Sequence, residues 1–347
     1  MLDYTFLNVV KYMNVAIAIL FTLGYFYQIV YTVIGFIKRN KWKETEAKKQ
    51  HKFAALICAR NESEVIEEII ESLKNQNYPK QLLDIYVLAD NCTDNTAKLA
   101  ADSGAIVYER TNKEKVGKGY ALDYLLKMIR LEHYQEGYEG YFVFDADNIV
   151  DKNFAREMNK VFDKGYDVIT CYRNSKNFTK NWITAGYSTW FLREARYLNF
   201  PRYLLGTNCA ISGTGFTVSD KIIRENGGWP FSTMTEDIEF TANCAVNNHR
   251  IGYSDKAVVY DEQPETFHQS YIQRLRWSKG FYQVNVRYSL DLFKKIFKGG
   301  RRGHTCYDMF MTIAPGMLLS LLIIMFNVVI GISCFSATPY MLSLIHI

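Results

Sequence analysis

Several patterns that would assign a function directly are absent from this sequence of 347 residues. Its seven cysteines form no C-x-x-C pair and no metal-finger spacing, which argues against a disulfide framework and a zinc site. The formal net charge is only +5, and no dense run of lysine and arginine with interleaved aromatics occurs, so nucleic acid is not expected as a partner. The chain instead has two long apolar runs near its ends and a mixed, charged stretch between them.

The first apolar run predicts a membrane anchor. Residues 14–37 hold no charged side chain and are about as long as a helix that crosses a bilayer. A signal peptide is disfavoured, because the run is too long for a signal core and no A-x-A-like cleavage site follows. Residues 1–13 form a short N-terminal segment, and residues 38–52 form a basic linker. The positive charge after the run places the next domain in the cytosol.

The second apolar run, uncharged from Met309 to Phe335, predicts a transmembrane helix over residues 307–335. Before it, residues 288–303 alternate apolar and basic side chains at roughly helical spacing, which fits an interfacial amphipathic helix; an ordinary surface helix fits equally well. Residues 336–347 have no polar tail and are interpreted as a truncated or artefactual end. The expected location is therefore the cell membrane, with more than one membrane passage and a cytosolic catalytic domain.

The middle of the chain, residues 53–287, predicts an α/β domain. Short apolar strands at residues 53–59, 82–90, 105–110 and 141–147 alternate with helix-like segments, which favours a mostly parallel sheet covered on both faces. Ligands of such sheets bind at the carboxyl ends of the strands, and here those ends are polar. Arg60-Asn61-Glu62 follows the first strand in place of G-x-G-x-x-G, so a Rossmann-type dehydrogenase is disfavoured.

Two aspartates at one strand end are the leading site candidates. Asp145 and Asp147 leave an apolar strand one residue apart, and hard oxygen ligands at that spacing suit Mg²⁺ or Mn²⁺ shared with a diphosphate. Taken alone, the triplet is more often a plain strand-end turn. Further along, Asp237 precedes a helix and is either an N-capping acid or a general base that deprotonates an acceptor hydroxyl.

Three other segments offer weaker signals. Asp90 is either a turn acid or a hydrogen-bond acceptor for a base or ribose, and Lys118 lies between two glycines that would let the backbone approach phosphates. On one helical face, Arg276 could hold a pyrophosphate and Trp277 could lie under a sugar ring. An amphipathic helix with a membrane-facing arginine and a core tryptophan explains the last segment equally well.

Together these residues resemble the family 2 glycosyltransferases, in particular the membrane-embedded branch of cellulose, hyaluronan and poly-N-acetylglucosamine synthases and ceramide glucosyltransferase. That branch carries an early aspartate, D-x-D, T-E-D and Q-x-x-R-W in this order. Asp90, Asp145 to Asp147, Thr235 to Asp237 and Gln273 to Trp277 match it here. The resemblance implies a GT-A-like fold flanked by transmembrane helices and a sugar transfer that inverts the anomeric centre by direct displacement.

The resemblance also implies a role for each matching residue. Asp237 would be the base, and Asp145 and Asp147 would bind the metal, with Asp145 shared with the nucleotide. The remaining nucleotide-sugar residues would be Ala59, Arg60, Glu62, Asp90, Lys118, Gln273 and Arg276. The acceptor would contact Trp277 and a loop of Gly213, Thr214 and Gly215, which read alone is a plain turn.

The resemblance leaves the acceptor open. A nucleotide-sugar, in particular a UDP-sugar, is the expected donor, and either a polysaccharide or a membrane lipid is the expected acceptor. The gating-loop pattern F-x-V-T-x-K of cellulose synthases is absent after Trp277, which disfavours a translocating channel of that kind. A catalytically inactive membrane scaffold is a further hypothesis, and the intact acids at all four motif positions argue against it.

Overall fold

The predicted sheet is present and has eight strands in the order β3-β2-β1-β4-β7-β6-β8-β5. The computed structural model describes residues 4–38, 42–313 and 315–335. The strands are β1 Phe53–Ala59, β2 Leu83–Asp90, β3 Ile106–Arg110, β4 Gly140–Asp145, β5 Ile149–Val150, β6 Val168–Ser175, β7 Phe216–Ser219 and β8 Ile251–Asp261.

Twelve α-helices accompany the sheet within the described residues. They are α1 Tyr4–Lys38, α2 Ile66–Lys74, α3 Thr96–Asp102, α4 Lys118–Glu132, α5 Phe154–Phe162, α6 Trp182–Arg193, α7 Phe200–Leu205, α8 Asp220–Glu225, α9 Glu236–Asn247, α10 Phe267–Ile296, α11 Gly300–Ile313 and α12 Pro315–Phe335. A π-helical segment, Glu194–Asn199, joins α6 to α7, so these three run as one continuous helical rod.

The sheet is parallel in its first half and mixed in its second. Strands β3, β2, β1 and β4 are mutually parallel, as the strand–helix alternation predicts. Strand β7 then runs antiparallel to both β4 and β6, whereas β8 is parallel to β6. Residues of β1 are almost fully buried, because helices cover both faces of the sheet. Because β1 lies between β2 and β4 and runs parallel to both, the carboxyl ends of these three strands meet at one edge of the sheet.

Helix α1 is the candidate membrane anchor. Within the described residues, one helix, Asn8–Lys38, is long and apolar enough to cross a bilayer, and it begins before the predicted limit of residue 14. Its later part packs against the rod: an added Cβ on Gly35 would lie 2.9 Å from the carbonyl oxygen of Arg196. Helix α1 is therefore in direct contact with the rod.

A buried ion pair fastens the rod to α11. Arg202 of α7 donates from Nε to Oδ2 of Asp308 at 2.7 Å and from Nη2 to Oδ1 at 2.6 Å. Tyr27 and Tyr31 of α1 donate to the same carboxylate at 3.0 and 3.2 Å. Both charged side chains are at most 5% exposed. Buried charges are tolerated only when they are paired and hydrogen-bonded in this way.

The region after Trp277 differs in its divisions from the prediction. Helix α10 runs without interruption to Ile296, so residues 288–303 comprise the end of α10, a short turn and the start of α11. Leu292 of α10 is fully buried in a cluster with residues of α9 and α11. The predicted helix over residues 307–335 falls on the end of α11 and on α12, within the part of the chain that the structure describes.

Candidate functional site

Three carboxylates gather at the carboxyl edge of the sheet. Asp145 ends β4, Asp147 lies in the turn that follows, and Asp261 ends β8; one oxygen from each lies within 4.8 Å of the other two. Three hard oxygen donors at this separation fit a divalent cation such as Mg²⁺ or Mn²⁺. The turn after β4 thus brings Asp145 and Asp147 together. Asp261 joins them from the end of β8, which lies far along the chain: it is 113 residues beyond Asn148, the neighbour of Asp147.

The pKa of Asp147 reflects its burial and the repulsion between these acids. Burial, followed by the charges of Asp261 and Asp145, raises the pKa of Asp147 to about 8, and the positive charge of Arg173 opposes that rise. The fully buried amide of Asn148 donates to Asp147 at 3.1 Å and to Asp261 at 2.9 Å. A bound cation would relieve the repulsion, which is the second reason that the group fits a metal.

Lys118 faces the acids from the first turn of α4. Its Nζ pairs with Oδ1 of Asp145 and donates to the carbonyl oxygen of Gly213 at 2.8 Å. Burial alone would lower the pKa of Lys118, but the charges of Asp145 and Glu236 outweigh it and raise that pKa. The flanking glycines have separate causes: Gly117 has φ +130°, and a Cβ on Gly119 would lie 2.0 Å from the backbone oxygen of Phe231.

Asp90 already has a partner within the protein. It is buried at the end of β2, and its Oδ1 accepts from Nη1 of Arg110 at 2.8 Å. Arg110 is also buried, at the end of β3, so the pair forms one wall of the edge. Burial and the charge of Asp145 raise the pKa of Glu62, whose amide donates to Thr96 at 2.9 Å. Ala59 ends β1 in the core, whereas Arg60 is exposed.

Asp237 lies in the first turn of α9, opposite the metal candidates. Thr235 at the N-cap makes no side-chain capping bond, which disfavours a purely structural interpretation of this motif. Burial raises the pKa of Asp237, and the amide of Ile238 and the charges of Lys118 and Arg173 oppose the rise. Its neighbour Glu236 has a pKa raised to about 7, first by burial and then by the charge of Asp237.

The predicted acceptor loop runs beside Asp237. A Cβ on Gly213 would lie 3.5 Å from Nη1 of Arg173 and 3.7 Å from Oδ2 of Asp237, so the loop passes between the two groups. Gly213 and Gly215 have φ of +82° and +66°, in the left-handed region that favours glycine. Thr214 is fully buried, and its hydroxyl accepts from the amide of Asp145 at 3.0 Å. The loop is therefore built against the acids.

The Q-x-x-R-W segment is only partly brought to the site. Trp277 on α10 packs edge-on against Tyr187, with ring centroids 5.8 Å apart, and lies 6.5 Å from Phe191. Gln273 carries a buried side-chain oxygen without a hydrogen-bond partner. Arg276 is exposed, and among the described residues no ion pair or hydrogen bond joins it to the acids. The helix thus places Trp277 at the wall of the site, whereas Arg276 lies outside it.

Sequence reasoning missed four polar residues of this site: Asp261, Arg173, Asn148 and Glu194. Asp261 carries the same signal as Asp145, an apolar strand that ends on an acid, and was open to detection. Arg173 and Asn148 have no local pattern that marks them. Glu194 opens the π-helical segment, and burial raises its pKa to about 7 against the positive charges of Arg202 and Arg173. Segments of this kind are frequent at functional sites.

The chain belongs to a known family of enzymes. Residues 51–280 match the glycosyltransferase-like family 2, so the protein is a family 2 glycosyltransferase. The probable glycosyltransferase YdaM of Bacillus subtilis is 24% identical over 315 residues, which cover 85% of this chain and 69% of that protein.

Two further relatives have more specific names. The beta-monoglucosyldiacylglycerol synthase of a Nostoc species is 27% identical, over 74% of this chain and 53% of its own length. The poly-beta-1,6-N-acetyl-D-glucosamine synthase of Staphylococcus epidermidis is 24% identical, over 74% of this chain and 64% of its own. The chain therefore spans between about half and two thirds of these two synthases.

Solved structures share the fold. The mannosyltransferase PcManGT of Pyrobaculum calidifontis, in complex with GDP-Man and Mn²⁺, has a TM-score of 0.60 at 17% identity and covers 86% of this chain and 81% of its own. S. aureus TarS 1–349 in complex with UDP-GlcNAc has a TM-score of 0.53 at 19% identity, with 75% and 71% covered. The α/β domain is thus GT-A-like, as expected from the sequence.

Proposed function

We propose that this glycosyltransferase is a metal-dependent, inverting enzyme that transfers a sugar from a UDP-sugar to a polysaccharide acceptor at the cytosolic membrane face. The observation that carries the proposal is the placement of Asp237 across the Gly213 loop from the three clustered carboxylates. One side of the site would hold a cation and a diphosphate, and the other presents a carboxylate whose pKa is raised by burial.

The division of labour follows from charge and position. Asp145, Asp147 and Asp261 would hold Mg²⁺ or Mn²⁺, which supplies Lewis-acid stabilisation of the departing nucleoside diphosphate. Lys118 adds a positive charge beside Asp145 on the same side. Asp237 takes the proton of the acceptor hydroxyl, whose oxygen then attacks the anomeric carbon from the face opposite the leaving group. No covalent sugar–enzyme intermediate forms.

The surrounding residues bind and orient the two substrates. Asp90, held by Arg110, together with Ala59, Arg60 and Glu62, would line the pocket for the nucleobase and ribose. Gln273 and Arg276 would approach the diphosphate only by a rearrangement of α10, because Arg276 is exposed here. Trp277 and the loop of Gly213, Thr214 and Gly215 would contact the acceptor, which the adjacent α1 would present from the membrane.

A lipid acceptor is the second candidate, and its support is the Nostoc relative, named as a diacylglycerol glycolipid synthase. The family branch with its D-D-D-QxxRW motif, the contact with membrane lipids and a second membrane passage over residues 307–335 also belong to the proposal. Helix α1, with the basic residues that follow it, supports an anchor with the domain on the cytosolic side.

The test is a donor panel on membranes that contain the full chain. Radiolabelled UDP-glucose, UDP-GlcNAc and GDP-mannose are supplied with Mn²⁺, Mg²⁺ or EDTA, and label is followed into a lipid extract and an insoluble polymer. We expect a UDP-sugar to be used only with metal and label to enter the polymer. Label in the lipid fraction would select the second acceptor. Absence of transfer and hydrolysis with every donor would favour the inactive scaffold.

A further inference from the structure

Two cations tie the acceptor loop to the acids of the metal candidate. Arg173 of β6 donates from Nε to Oδ2 of Asp261 at 2.8 Å and from Nη1 to the carbonyl oxygen of Ser212 at 2.8 Å. Lys118 repeats the arrangement one residue further on, with Asp145 and the carbonyl oxygen of Gly213. Successive carbonyls of the loop are thus each bound by a cation that also binds one of the clustered acids.

The loop itself is a tight three-residue turn. The amide of Thr214 donates to the carbonyl oxygen of Ser212 at 3.0 Å across Gly213, whose φ is +82°. A turn closed over three residues with this backbone angle is rare and strained, so it persists only where its surroundings hold it. Arg173 binds the same carbonyl oxygen that closes the turn. The guanidinium therefore acts directly on the hydrogen bond that defines the loop.

The strand geometry fixes Arg173 in this position. The pairing of β6 with β8 is irregular between Cys171 and Tyr172, and bulges of this kind re-aim the side chains beside them. The guanidinium then lies 4.1 Å from the ring centre of Phe191 and is only 12% exposed. Its planar fork can bind the acid and the carbonyl together, which a lysine ammonium on a flexible stem does poorly.

We infer that Arg173 is a positioning residue that couples the metal–nucleotide site to the acceptor loop, so that occupation of the acids tightens the turn of Ser212 to Thr214. The inference rests on the metal-dependent transfer proposed above. When a cation neutralises the charge of Asp261, the hydrogen bond from Arg173 to Ser212 becomes the main interaction of the guanidinium. By thermodynamic reciprocity, an acceptor that orders the loop must also strengthen metal–nucleotide binding.

The test measures amide hydrogen exchange in peptides that cover residues 209–216 of the full chain in detergent, with and without Mn²⁺ plus UDP. We expect exchange at Thr214 and Gly215 to slow about tenfold in the wild type, the size of effect that one hydrogen bond produces. In Arg173→Lys the change should fall below about twofold. Titration calorimetry of Mn²⁺ with UDP should meanwhile give a dissociation constant within about threefold of the wild type.

Two further variants keep the result interpretable. Arg250→Lys is the matched control, because Arg250 also stacks on an aromatic ring, at 4.4 Å from Tyr166, but lies away from the site; it should retain the full exchange response. If Arg173→Lys fails to fold, Arg173→Gln keeps Asp261 in the acid cluster and must also lose the response.

Each outcome decides one question. An unchanged response in either Arg173 variant, or exchange that is unaltered or faster in the wild type while Mn²⁺ and UDP bind, would overturn the coupling. Failure of the wild type to bind Mn²⁺ with UDP would instead refute the metal dependence of the proposed function.

Discussion

The two acidic groups of the site manage like-charge repulsion differently. Asp145, Asp147 and Asp261 share side-chain partners, since Asn148 bridges two of them and cations flank two of them. Glu236 and Asp237 instead rely on the N-terminus of α9 and the more distant charges of Lys118 and Arg173. The first group thus has the side-chain partners of a cation site in the proposed mechanism. Within the described part of the chain, the second has no cation in direct contact, and it lies where the proposed mechanism needs a proton acceptor.

The largest expected effect separates the groups by function. Asp237→Asn removes the base and should lower kcat for transfer by about 10²–10⁴-fold, whereas binding of UDP with Mn²⁺ should stay within a few-fold of the wild type. Initial rates of label transfer and calorimetry check the two quantities. Glu225→Gln, on the exposed surface of α8, is the control and should leave both unchanged. If Asp237→Asn also weakened the binding of Mn²⁺, the proposed division of roles between the two acidic groups would be wrong.

Asp261→Asn tests whether the missed acid belongs to the first group. It leaves Asn148 and Gln263 as hydrogen-bond donors to the site, so the fold should persist, but a hard anionic ligand is lost. We expect Mn²⁺ affinity to fall roughly 10–100-fold, with saturating Mn²⁺ restoring much of the rate. Asp147→Asn should behave alike, and a rate that Mn²⁺ cannot restore in either variant would place that acid in another role.

The pH dependence of the Glu236→Gln variant tests how the two acids of the second group affect each other's ionisation. Asp237 must be ionised to accept a proton, and burial raises its pKa, so the rate should rise with pH through that raised pKa and level off above it. Burial and the charge of Asp237 raise the pKa of Glu236 to about 7, so Asp237 ionises while Glu236 is still neutral, and Glu236→Gln should leave the acid limb in place. A pH–rate profile at saturating Mn²⁺ locates the limb in both proteins, and a limb that moves down by about one pH unit in the variant would contradict this order of ionisation.

The smallest expected effect comes from the acceptor loop, which lies between the two acidic groups. Gly213→Ala forces a side chain into a left-handed position at a cost of about 1–2 kcal/mol. The added Cβ has room, at 3.5 Å from Arg173 and 3.7 Å from Asp237, so the fold should survive. We expect a thermal midpoint lower by a few degrees and a transfer rate reduced about tenfold, with hydrolysis of the donor less affected. Equal losses of hydrolysis and transfer would remove the loop from the acceptor side.

The first group was predictable because most of its signals are local. An apolar strand that ends on polar residues identifies the edge of a parallel sheet, and this placed Asp90, Asp145 and Asp147 correctly at one edge. Asp261 gives the same signal but lies in a strand that the alternation does not reach. Its position beside Asp147 depends on the pairing of β8 with β6, a long-range contact that periodicity cannot supply.

The rest of the site depends on packing. Arg173 acquires its role from an irregularity between two distant strands, and no residue type near it signals that irregularity. For α10, helical spacing correctly indicates a helix, but its exposed face is set by contacts with α6 and α9, which turn Trp277 inward and Arg276 outward. Likewise, the contact of α11 with the rod depends on the pairing of Asp308 with Arg202, a long-range contact that the uncharged run after Met309 does not signal.

That last contact decides how the protein can be dissected. A fragment that ends at residue 287 contains Arg202 but lacks Asp308, so it loses the ion pair that joins the rod to α11. It also uncovers the apolar side chains of α9 that pack against Leu292 and α11. Exposed apolar patches of this kind promote aggregation. Expression trials that trim the chain at the ends of the family match are therefore expected to yield aggregates, whereas fragments extended through Ile313 should remain in solution. Helices α1 and α11, which meet at this ion pair, thus pack as one unit with the rod.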